Sequence, residues 1–323
     1  MLRRTLLAKG GVTAALYALA GPALAQAPMR IVVGFAAGGP GDILARFVAE
    51  QLKRILGETV IVENRPGAAG RIATNFVRGA EPDGATMLNS PASLLTLLPH
   101  AVKGAEYNPL QDLVPVAALS DLDFALVVNA KVAARSLGEY LQLCKSDPQV
   151  ASFGTAGAGT PQHMMGMLLG KAAGVALTHV PYRGGAPALQ DVIGGTLPAA
   201  IGTLSDLMIT ARNDGRIRIL AVGGAKRSAF LADVPTVGEA GIRGVVVSDC
   251  TGILLPARSP AASVARLGKA LTDIVGSPEF KAGLNKFYME PLLLDSRAYA
   301  DKLQSEYTTW GPVVKSSGFS IDS

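Results

Sequence analysis

Three glycine-rich segments carry the residue types and spacing that suggest a binding site. Each follows a short apolar run and precedes a helical pattern, and the three are 36–42, 154–160 and 182–185. The first-turn N–H groups of a helix lack intrahelical partners, and the helix dipole adds about half a positive charge there. Such a loop binds anions without an arginine, and glycine lets the backbone approach the ligand closely. The pattern therefore predicts a site for a small, negatively charged molecule.

The first segment ends at Asp42, which we predict to cap a helix that begins at Ile43. An ionised Asp42 would repel a carboxylate ligand unless it meets a cation or points away. We therefore expect the main-chain amides of Ala37, Gly38 and Gly39 to bind the ligand, ahead of the Asp42 side chain. The alternative is that this loop has only a structural role.

In the second segment, Thr160 followed by Pro161 is typical of an N-cap with proline at the first helical position. The expected ligand donors of this loop are hydroxyls and amides, namely those of Thr155, Thr160, Ala156, Gly157 and Ala158. His163 lies one turn into the predicted helix. A histidine at such a position more often caps or packs than contacts a ligand.

Further polar residues stand where predicted strands end, and we expect them to face the same cleft. They are Asn64, Ser90, Ser93, Tyr182, Arg183, Thr203 and Asp206. Arg183 can pair a carboxylate with two parallel hydrogen bonds, but in a Tyr-Arg-Gly-Gly turn it is equally a solvated surface group. Asp206, which precedes a helical pattern, is either an N-cap or a ligand acceptor.

The sequence offers little for catalysis or cofactor binding. Its histidines, His100, His163 and His179, lie in separate segments, and none has a metal-ligand spacing. There is no G-x-S-x-G nucleophile motif, and the glycine-rich segments match neither nucleotide-binding fingerprint. We therefore predict a protein that is not an enzyme, with no catalytic residues, no metal and no cofactor. An exported hydrolase or isomerase, which would need a clustered acid and base, is the enzyme alternative.

Short β-branched runs alternate with helical patterns along the chain, which predicts an α/β protein with mostly parallel sheets flanked by helices. Two longer aliphatic stretches, 114–128 and 244–255, are each followed by a new block of helices. We interpret them as strands that cross between two lobes. Lobe one would comprise 28–120 and 250–323, with three C-terminal helices packing back on it, and lobe two 121–249. Two sequential domains without crossing strands are the alternative.

The composition supports a globular protein of two domains. Of its 323 residues, 49% are hydrophobic and 17% charged, which is enough to bury a sizeable core. The formal charge is +5, but Arg3, Arg4 and Lys9 lie in the leader and the remaining cations are scattered. Nucleic-acid binding is therefore not predicted. Cys144 and Cys250 are far apart in sequence, which favours two separate buried cysteines over a disulfide.

Residues 1–25 match the pattern of an exported leader. A charged start with Arg3 and Arg4 precedes an apolar stretch, and Ala23-Leu24-Ala25 is a small-x-small cleavage signal. We predict a cleaved signal peptide and a periplasmic mature protein, with a membrane anchor as the alternative. The paired arginines also suggest export by the twin-arginine route.

Six sequence blocks, in order over essentially the whole mature chain, resemble one family. They are GGPGDILAR (38–46), VENRPGAAG (62–70), PDG (82–84), FGTAGAGTP (153–161), VPYRGGAPA (180–188) and VPTVGEAG (234–241). In this pattern the chain resembles the Bug, or TctC-like, family of extracytoplasmic solute receptors of tripartite tricarboxylate transporters. Cys250 departs from the pattern, since this position often carries tryptophan in the family.

The resemblance implies a two-lobed, Venus-flytrap periplasmic-binding-protein fold that closes about a hinge on a small carboxylate, an organic acid or an acidic amino acid. It places the ligand contacts on loops at strand ends, namely on Phe35, Ala37, Gly38, Gly39, Asp42, Ser90, residues 155–160, Thr203 and Asp206. It also implies a membrane permease as partner, and we expect a monomeric receptor. A receptor that feeds a signalling partner would have the same sequence, so that alternative stays open.

Overall fold

Strands and helices alternate along the chain in the computed structural model, which describes residues 28–102, 108–211 and 215–321. The predicted leader lies outside these residues. The strands are β1 (Met29–Val33), β2 (Val60–Asn64), β3 (Thr86–Pro91), β4 (Leu113–Asn129), β5 (Ser152–Thr155), β6 (Thr178–Pro181), β7 (Ala199–Thr203), β8 (Ile217–Val222), β9 (Ser248–Pro256) and β10 (Pro291–Leu294).

The helices vary from single turns to a 22-residue helix at the C-terminal end. They are α1 (Pro40–Leu56), α2 (Arg71–Arg78), α3 (Ser93–Thr96), α4 (Leu98–Ala101), α5 (Pro109–Asp112), α6 (Leu137–Ser146), α7 (Pro161–Ala173), α8 (Gly185–Gly194), α9 (Leu204–Ala211), α10 (Ala261–Val275), α11 (Pro278–Asn285) and α12 (Ser296–Ser317). Within the described ranges, none of them combines the length and hydropathy that a bilayer span requires.

The sequence pattern predicts most of these elements. Helices α2 and α7 and strand β8 have the expected bounds. Helix α1, however, begins at Pro40 and not at Ile43, because proline needs no N–H partner in the first turn and its fixed φ suits a helix. Gly39 therefore occupies the N-cap position. The prediction that Asp42 caps this helix is wrong, since Asp42 lies inside its first turn.

Helix α6 is an element that the alternation of apolar runs does not predict. Ser136 is its N-cap and accepts a hydrogen bond from the main-chain N–H of Glu139 at 3.2 Å. The Glu139 carboxylate in turn accepts from the N–H of Arg135 at 2.7 Å. This reciprocal pair resembles a capping box, so the spacing of serine and glutamate is a signal from which the helix start can be predicted.

Two groups of parallel strands are joined by the antiparallel strands β4 and β9. Strand β1 pairs with β2 and β3, and β5 pairs with β6 and β7, all parallel. Strand β9 runs antiparallel to β3 and, from Leu113–Pro256 to Asp123–Ser248, to β4. Strand β4 continues past this point to pair with β7 and β8. The described chain thus has the predicted α/β architecture with strands that cross between its halves.

Each half has its own hydrophobic core. In the half that contains β1 to β3, Phe47 of α1 meets Phe280 of α11 edge to face, with ring centroids 5.6 Å apart. In the other half, Phe153 is fully buried among residues of β4, β7 and α7. Along β4, Leu119 belongs to the first core and Leu122 to the second. The limits of lobe one and lobe two themselves stay a prediction.

Helix α12 contacts both halves of the molecule. Tyr299 and Leu303, in its first part, pack in a cluster with strands β3 and β9. Trp310 packs on the core that contains Phe153, and Phe319, just after the helix, packs in a cluster with Met164 of α7. The expectation that the C-terminal helices pack on lobe one therefore describes only part of their contacts.

Both cysteines are buried. Cys144 lies in the core with Phe153, and Cys250 lies on β9 in the cluster with Tyr299. They belong to different halves of the molecule and are separate thiols, as predicted.

Candidate functional site

The amide-bearing loops of the two lobes lie against one apolar cluster. Gly159, in the loop after β5, has φ +76°, and a Cβ there would lie 2.7 Å from Ile321 Cδ1 and 3.0 Å from Leu98 Cδ1. Leu98 and Ile321 pack with Phe35, which belongs to the loop after β1. Both loops therefore border one apolar cluster, and each follows the carboxyl end of its strand, where binding sites of open parallel sheets lie.

The carboxylate of Asp42 holds the lobe-one loop in place. Its Oδ2 accepts hydrogen bonds from the N–H of Gly38 and from Arg46 Nε, both at 2.9 Å. Its Oδ1 accepts from Asn64 Nδ2, also at 2.9 Å. The same amide nitrogen donates to the main-chain oxygen of Phe35 at 3.1 Å. Asp42 therefore ties the loop to β2, and its side chain is paired inside lobe one.

This pairing decides the charge of Asp42, which is 3% exposed. Burial by itself raises the pKa of a carboxyl group, but here hydrogen bonds from Arg46, Gly38 and Asn64 outweigh burial. The pKa of Asp42 therefore lies below its ordinary value. The ionised group meets a cationic partner, which is the condition that allows it to lie near an anionic ligand.

Several amides of the lobe-one loop stay available. In the part of the chain that the structure describes, the N–H groups of Ala36, Ala37 and Gly39 have no protein acceptor. Ala36 and Ala37 are also exposed. The N–H of Gly38 is used by Asp42. Of the three amides predicted to bind a ligand, those of Ala37 and Gly39 are therefore open to one in this conformation.

Ser90 and Ser93 are both buried at the end of β3. Ser90 Oγ donates to the carbonyl oxygen of the next residue at 3.0 Å. The N–H of Ser93 donates to Asp249 Oδ1 at 3.2 Å. Burial, with a smaller contribution from the charge of Glu306, raises the pKa of Asp249 to about 7. Asp249 is a residue that sequence reasoning misses, because its partners come from distant segments and no local pattern marks it.

The threonine hydroxyls of the lobe-two loop are directed to one main-chain oxygen. The carbonyl of Gly157 accepts from Thr155 Oγ1 at 2.9 Å and from Thr160 Oγ1 at 2.8 Å. Thr160 is also the N-cap of α7, as predicted, and accepts from the N–H of His163 at 3.4 Å. Each hydroxyl has a single hydrogen. In this conformation, neither threonine therefore has a hydrogen left to donate to a ligand.

The amides of this loop remain. Within residues 28–102, 108–211 and 215–321, the N–H groups of Ala156 and Ala158 have no protein acceptor. The N–H of Gly157 donates weakly to Thr155 Oγ1, at 3.3 Å. The lobe-two loop thus offers main-chain donors to a ligand, while its threonine hydroxyls donate hydrogen bonds within the loop.

Two histidines lie beneath the lobe-two loop. His163 Nδ1 accepts from the N–H of Gly159 at 3.2 Å, and His179 Nε2 lies 2.7 Å from Thr155 Oγ1. The two rings are stacked with centroids 3.8 Å apart. Burial lowers the pKa of His163 to about 3, with a further contribution from His179, and burial lowers the pKa of His179 to about 4. Sequence reasoning treats them separately, but the β5–α7–β6 crossover brings them together.

Thr203 and Asp206 follow β7. Thr203 Oγ1 accepts from the N–H of Asp206 at 3.2 Å, so Asp206 lies in the first turn of α9 and is not its N-cap. Burial raises the pKa of the Asp206 carboxyl, and a hydrogen bond with Thr203 opposes this. A Cβ on Gly185 would lie 2.7 Å from Asp206 Oδ2, so a side chain at residue 185 would require this carboxylate to shift.

The neighbouring turn contributes less. Tyr182 Oη donates to Asp191 Oδ2 at 2.6 Å, a contact within the β6–α8 unit. Arg183 is exposed and makes no ion pair among the residues that the structure describes. In the same described ranges, no group of three or more histidine, cysteine, aspartate or glutamate side chains is arranged to hold a metal.

Two halves with parallel sheets, crossing strands between them and facing loops at the strand ends define a periplasmic-binding-protein fold. Solved structures of this class superpose on the chain. The periplasmic binding protein BugD does so with a TM-score of 0.83 and 30% identity, covering 92% of this chain and 99% of BugD. Rhodopseudomonas palustris Rpa4515, solved with adipate, has a TM-score of 0.85 at 27% identity, over 91% of this chain and 98% of that one. MatC of the same organism, solved with bound malate, has a TM-score of 0.81 at 26% identity, over 89% and 98%.

The sequence comparisons agree. The model of the tripartite tricarboxylate transporter family receptor, TctC, matches residues 44–319. The chain is 34% identical over 309 residues to the UPF0065 protein in the gbd 5′ region of Cupriavidus necator, with 93% of each chain covered. It is 30% identical over 325 residues to the protein BugT of Bordetella pertussis, with 97% of each covered. The chain therefore belongs to the TctC family of receptors, the family that its sequence blocks resemble.

Proposed function

We propose that this protein is a periplasmic receptor that captures a small carboxylate, an organic acid or an acidic amino acid, between its two lobes. The observation that carries the proposal is the set of unpaired main-chain amides on the two facing loops. Ala37 and Gly39 supply them from lobe one, and Ala156 and Ala158 from lobe two. Amides at helix starts bind carboxylates, and both loops lead directly into a helix.

The charges around the loops support the same ligand class. The one carboxylate in the lobe-one loop, Asp42, is paired with Arg46 and Asn64. The lobe-two loop is surrounded by hydroxyls and by histidines whose pKa values are lowered by burial. A ligand carboxylate would therefore meet donors without an unpaired negative group from either loop. The adipate and malate complexes of two solved relatives also support a carboxylate.

Capture would proceed by hinge closure, with no covalent chemistry. Strands β4 and β9 pair along the boundary between the lobes and would form the hinge. Beside these strands, Ser205 Oγ of α9 donates to the main-chain oxygen of Phe287 at 2.6 Å, a contact between the two halves. A ligand shifts the balance toward the closed form only through contacts it gains there. Those contacts would be the lobe-two amides reaching a carboxylate already held by lobe one.

Isothermal titration with a panel of dicarboxylates, hydroxy acids and acidic amino acids tests this function. We expect a dissociation constant in the micromolar range or below for at least one acid. The uncharged diamides of the same acids are the matched controls, and they should not bind, because the loop amides need a negatively charged acceptor. A panel without a binding acid, or a diamide that binds as tightly as its acid, would contradict the proposal.

The same proposal assigns the captured acid to a membrane permease of the tripartite type. Ligand-loaded receptor should then bind to membranes that contain such a permease more tightly than ligand-free receptor. If the loaded receptor binds a signalling protein and not the permease, its role is sensory. The proposed ligand class would be the same in that case.

A further inference from the structure

The stacked histidines support the lobe-two loop at both of its ends. We propose that His163 and His179 are positioning residues that act as neutral rings and fix the direction of the Ala156 and Ala158 amides. This inference rests on the proposed function and deepens it, since it assigns residues that orient the donors without touching the ligand.

The hydrogen bonds of the pair reach opposite ends of the loop. His179 Nε2 lies 2.7 Å from the hydroxyl of Thr155, the residue at which β5 ends. His163 Nδ1 accepts from the N–H of Gly159, the last residue before the cap of α7. Because the rings stack at 3.8 Å, the two ends are linked through one rigid unit. The donor amides lie between them.

We assign the hydrogen positions by pairing each donor of this group with an acceptor. Thr155 has one hydroxyl hydrogen, and the Gly157 carbonyl at 2.9 Å and His179 Nε2 at 2.7 Å are both close to its oxygen. If His179 carries its hydrogen on Nε2, it donates to Thr155 Oγ1, and Thr155 donates to Gly157. Every contact is then satisfied. The chain from His179 to Gly157 therefore sets the turn from which the Ala156 amide projects.

His163 has the complementary requirement. Because the Gly159 N–H donates to Nδ1, that nitrogen must be unprotonated, and the neutral ring carries its hydrogen on Nε2. A proton on Nδ1 would oppose the Gly159 N–H and break this support. The support at Gly159 therefore needs a neutral His163, whereas the bond at Thr155 needs a hydrogen on Nε2 of His179.

The surroundings of the pair maintain this state. Phe153 of β5 lies against His179 with centroids 5.3 Å apart, and Phe319 meets His163 edge to face at 4.5 Å. Of the titratable groups in the described chain, only His179 contributes to the lowered pKa of His163, and burial alone lowers that of His179. The C-terminal segment thus covers the pair, and stacking of two charged rings would be unfavourable.

Two kinds of substitution at His163 and His179 distinguish a role in positioning the loop from a role in packing. In H163N the amide oxygen can replace Nδ1 as acceptor, and in H179Q the amide nitrogen can replace Nε2–H as donor. H163L and H179L keep apolar volume and remove the hydrogen bonds. The direct readout is hydrogen exchange of residues 156–160 in ligand-free protein. We expect exchange about tenfold faster in each leucine variant and within about threefold of the wild type in H163N and H179Q.

His100 supplies the matched control, because its Nε2 bonds to the Tyr307 main-chain oxygen at 2.8 Å, away from the loop. H100Q should leave the exchange of residues 156–160 unchanged. Titration with malate should show about tenfold weaker binding in the leucine variants only. If loop exchange responds as expected while neither malate nor any other acid binds the wild type, the positioning role stands and the proposed ligand class fails.

The proposal is overturned if residues 156–160 exchange in the leucine variants as slowly as in the wild type. It is also overturned if they exchange in H163N and H179Q as fast as in the leucine variants. Should the leucine variants not fold, long-range 15N–1H correlation spectra of the wild type decide. We expect both imidazoles to be neutral at pH 7 with the hydrogen on Nε2. A hydrogen on Nδ1 of His163, or its absence from Nε2 of His179, would contradict the assignment.

Discussion

The lobe-one loop after β1 and the lobe-two loop after β5 share one backbone plan and differ in what holds them. Both leave a parallel strand, and both enter a helix at a proline, Pro40 or Pro161. Asp42 holds the first loop through an ionised carboxylate with a lowered pKa. The second is held by threonine hydroxyls and neutral imidazoles. A carboxylate beside an anion site must be paired, whereas neutral groups need no counter-charge.

Because of this difference, we expect the two loops to respond differently to acid. The lowered pKa of Asp42 means that its support persists as the pH falls through the ordinary range of carboxyl groups. The lobe-two support depends on two histidines that resist protonation mainly because they are buried. Stability should therefore begin to fall through the histidines at a higher pH than through Asp42, because the ordinary pKa is 6.5 for histidine and 3.8 for aspartate.

The largest expected effect is on the pH dependence of stability. The folded pKa values of about 3 for His163 and about 4 for His179 lie below the value of 6.5 for a free histidine. Below pH 6.5, the unfolded chain therefore binds protons that the folded chain does not, and stability falls with pH. Between pH 7 and 5 we expect a loss of about 2 kcal/mol per histidine.

Urea unfolding of the wild type and of the H163N/H179Q double variant at pH 7 and pH 5 isolates this contribution. Other groups, such as Asp249 with its raised pKa, are common to both proteins and cancel in the difference. The wild type should lose about 4 kcal/mol more than the double variant. Equal losses in the two proteins would mean that the rings are not held neutral.

The next largest effect tests the charged support of lobe one. D42A removes the common acceptor of Gly38, Arg46 and Asn64, and we expect it to lower the free energy of unfolding by about 3 kcal/mol. R46A is the matched control, because it leaves the hydrogen bonds of Asp42 with Gly38 and Asn64 in place and should therefore cost less than D42A. Urea unfolding of both variants at pH 7 measures this. Equal effects would assign the support to the ion pair alone.

A third prediction compares one glycine from each loop. Gly38 has φ +88° and open space where a Cβ would be, whereas Gly159 has φ +76° and Ile321 and Leu98 beside it. G38A should cost about 1 kcal/mol, the cost of the left-handed conformation. G159A should cost about 2 kcal/mol, because the added methyl group also meets the apolar cluster. Thermal unfolding of the two variants measures these costs. Equal costs for G38A and G159A would show that the apolar cluster accommodates the added methyl group.

The smallest stability effect is expected at Thr160. T160A removes the cap of α7, which should cost about 1 kcal/mol. It also frees the Gly157 carbonyl from one hydroxyl, so the loop should lose ligand affinity by more than tenfold, about 1.4 kcal/mol. Calorimetric titration and thermal unfolding compare the two losses. A larger fall in stability than in affinity would make Thr160 a helix cap only.

The sequence predicts the framework of the site better than its interior. Glycine positions, apolar runs and the Thr160-Pro161 start give most of the strands and helices to within a few residues, although they miss α6. Asp42 shows the limit, because Pro40 begins the helix and the partner Asn64 lies on another strand. The meeting of His163 with His179 likewise depends on how a crossover returns to the sheet.

Binding of a carboxylate by amides from both lobes is tested most directly by 1H–15N spectra of the labelled protein during titration with the acid panel. At saturation, we predict downfield shifts of the amide protons of Ala37, Gly39, Ala156 and Ala158, since each N–H would gain a charged acceptor. The Gly38 amide, which already donates to Asp42, should move little. Saturable binding that leaves those four amides unchanged would contradict the proposed site.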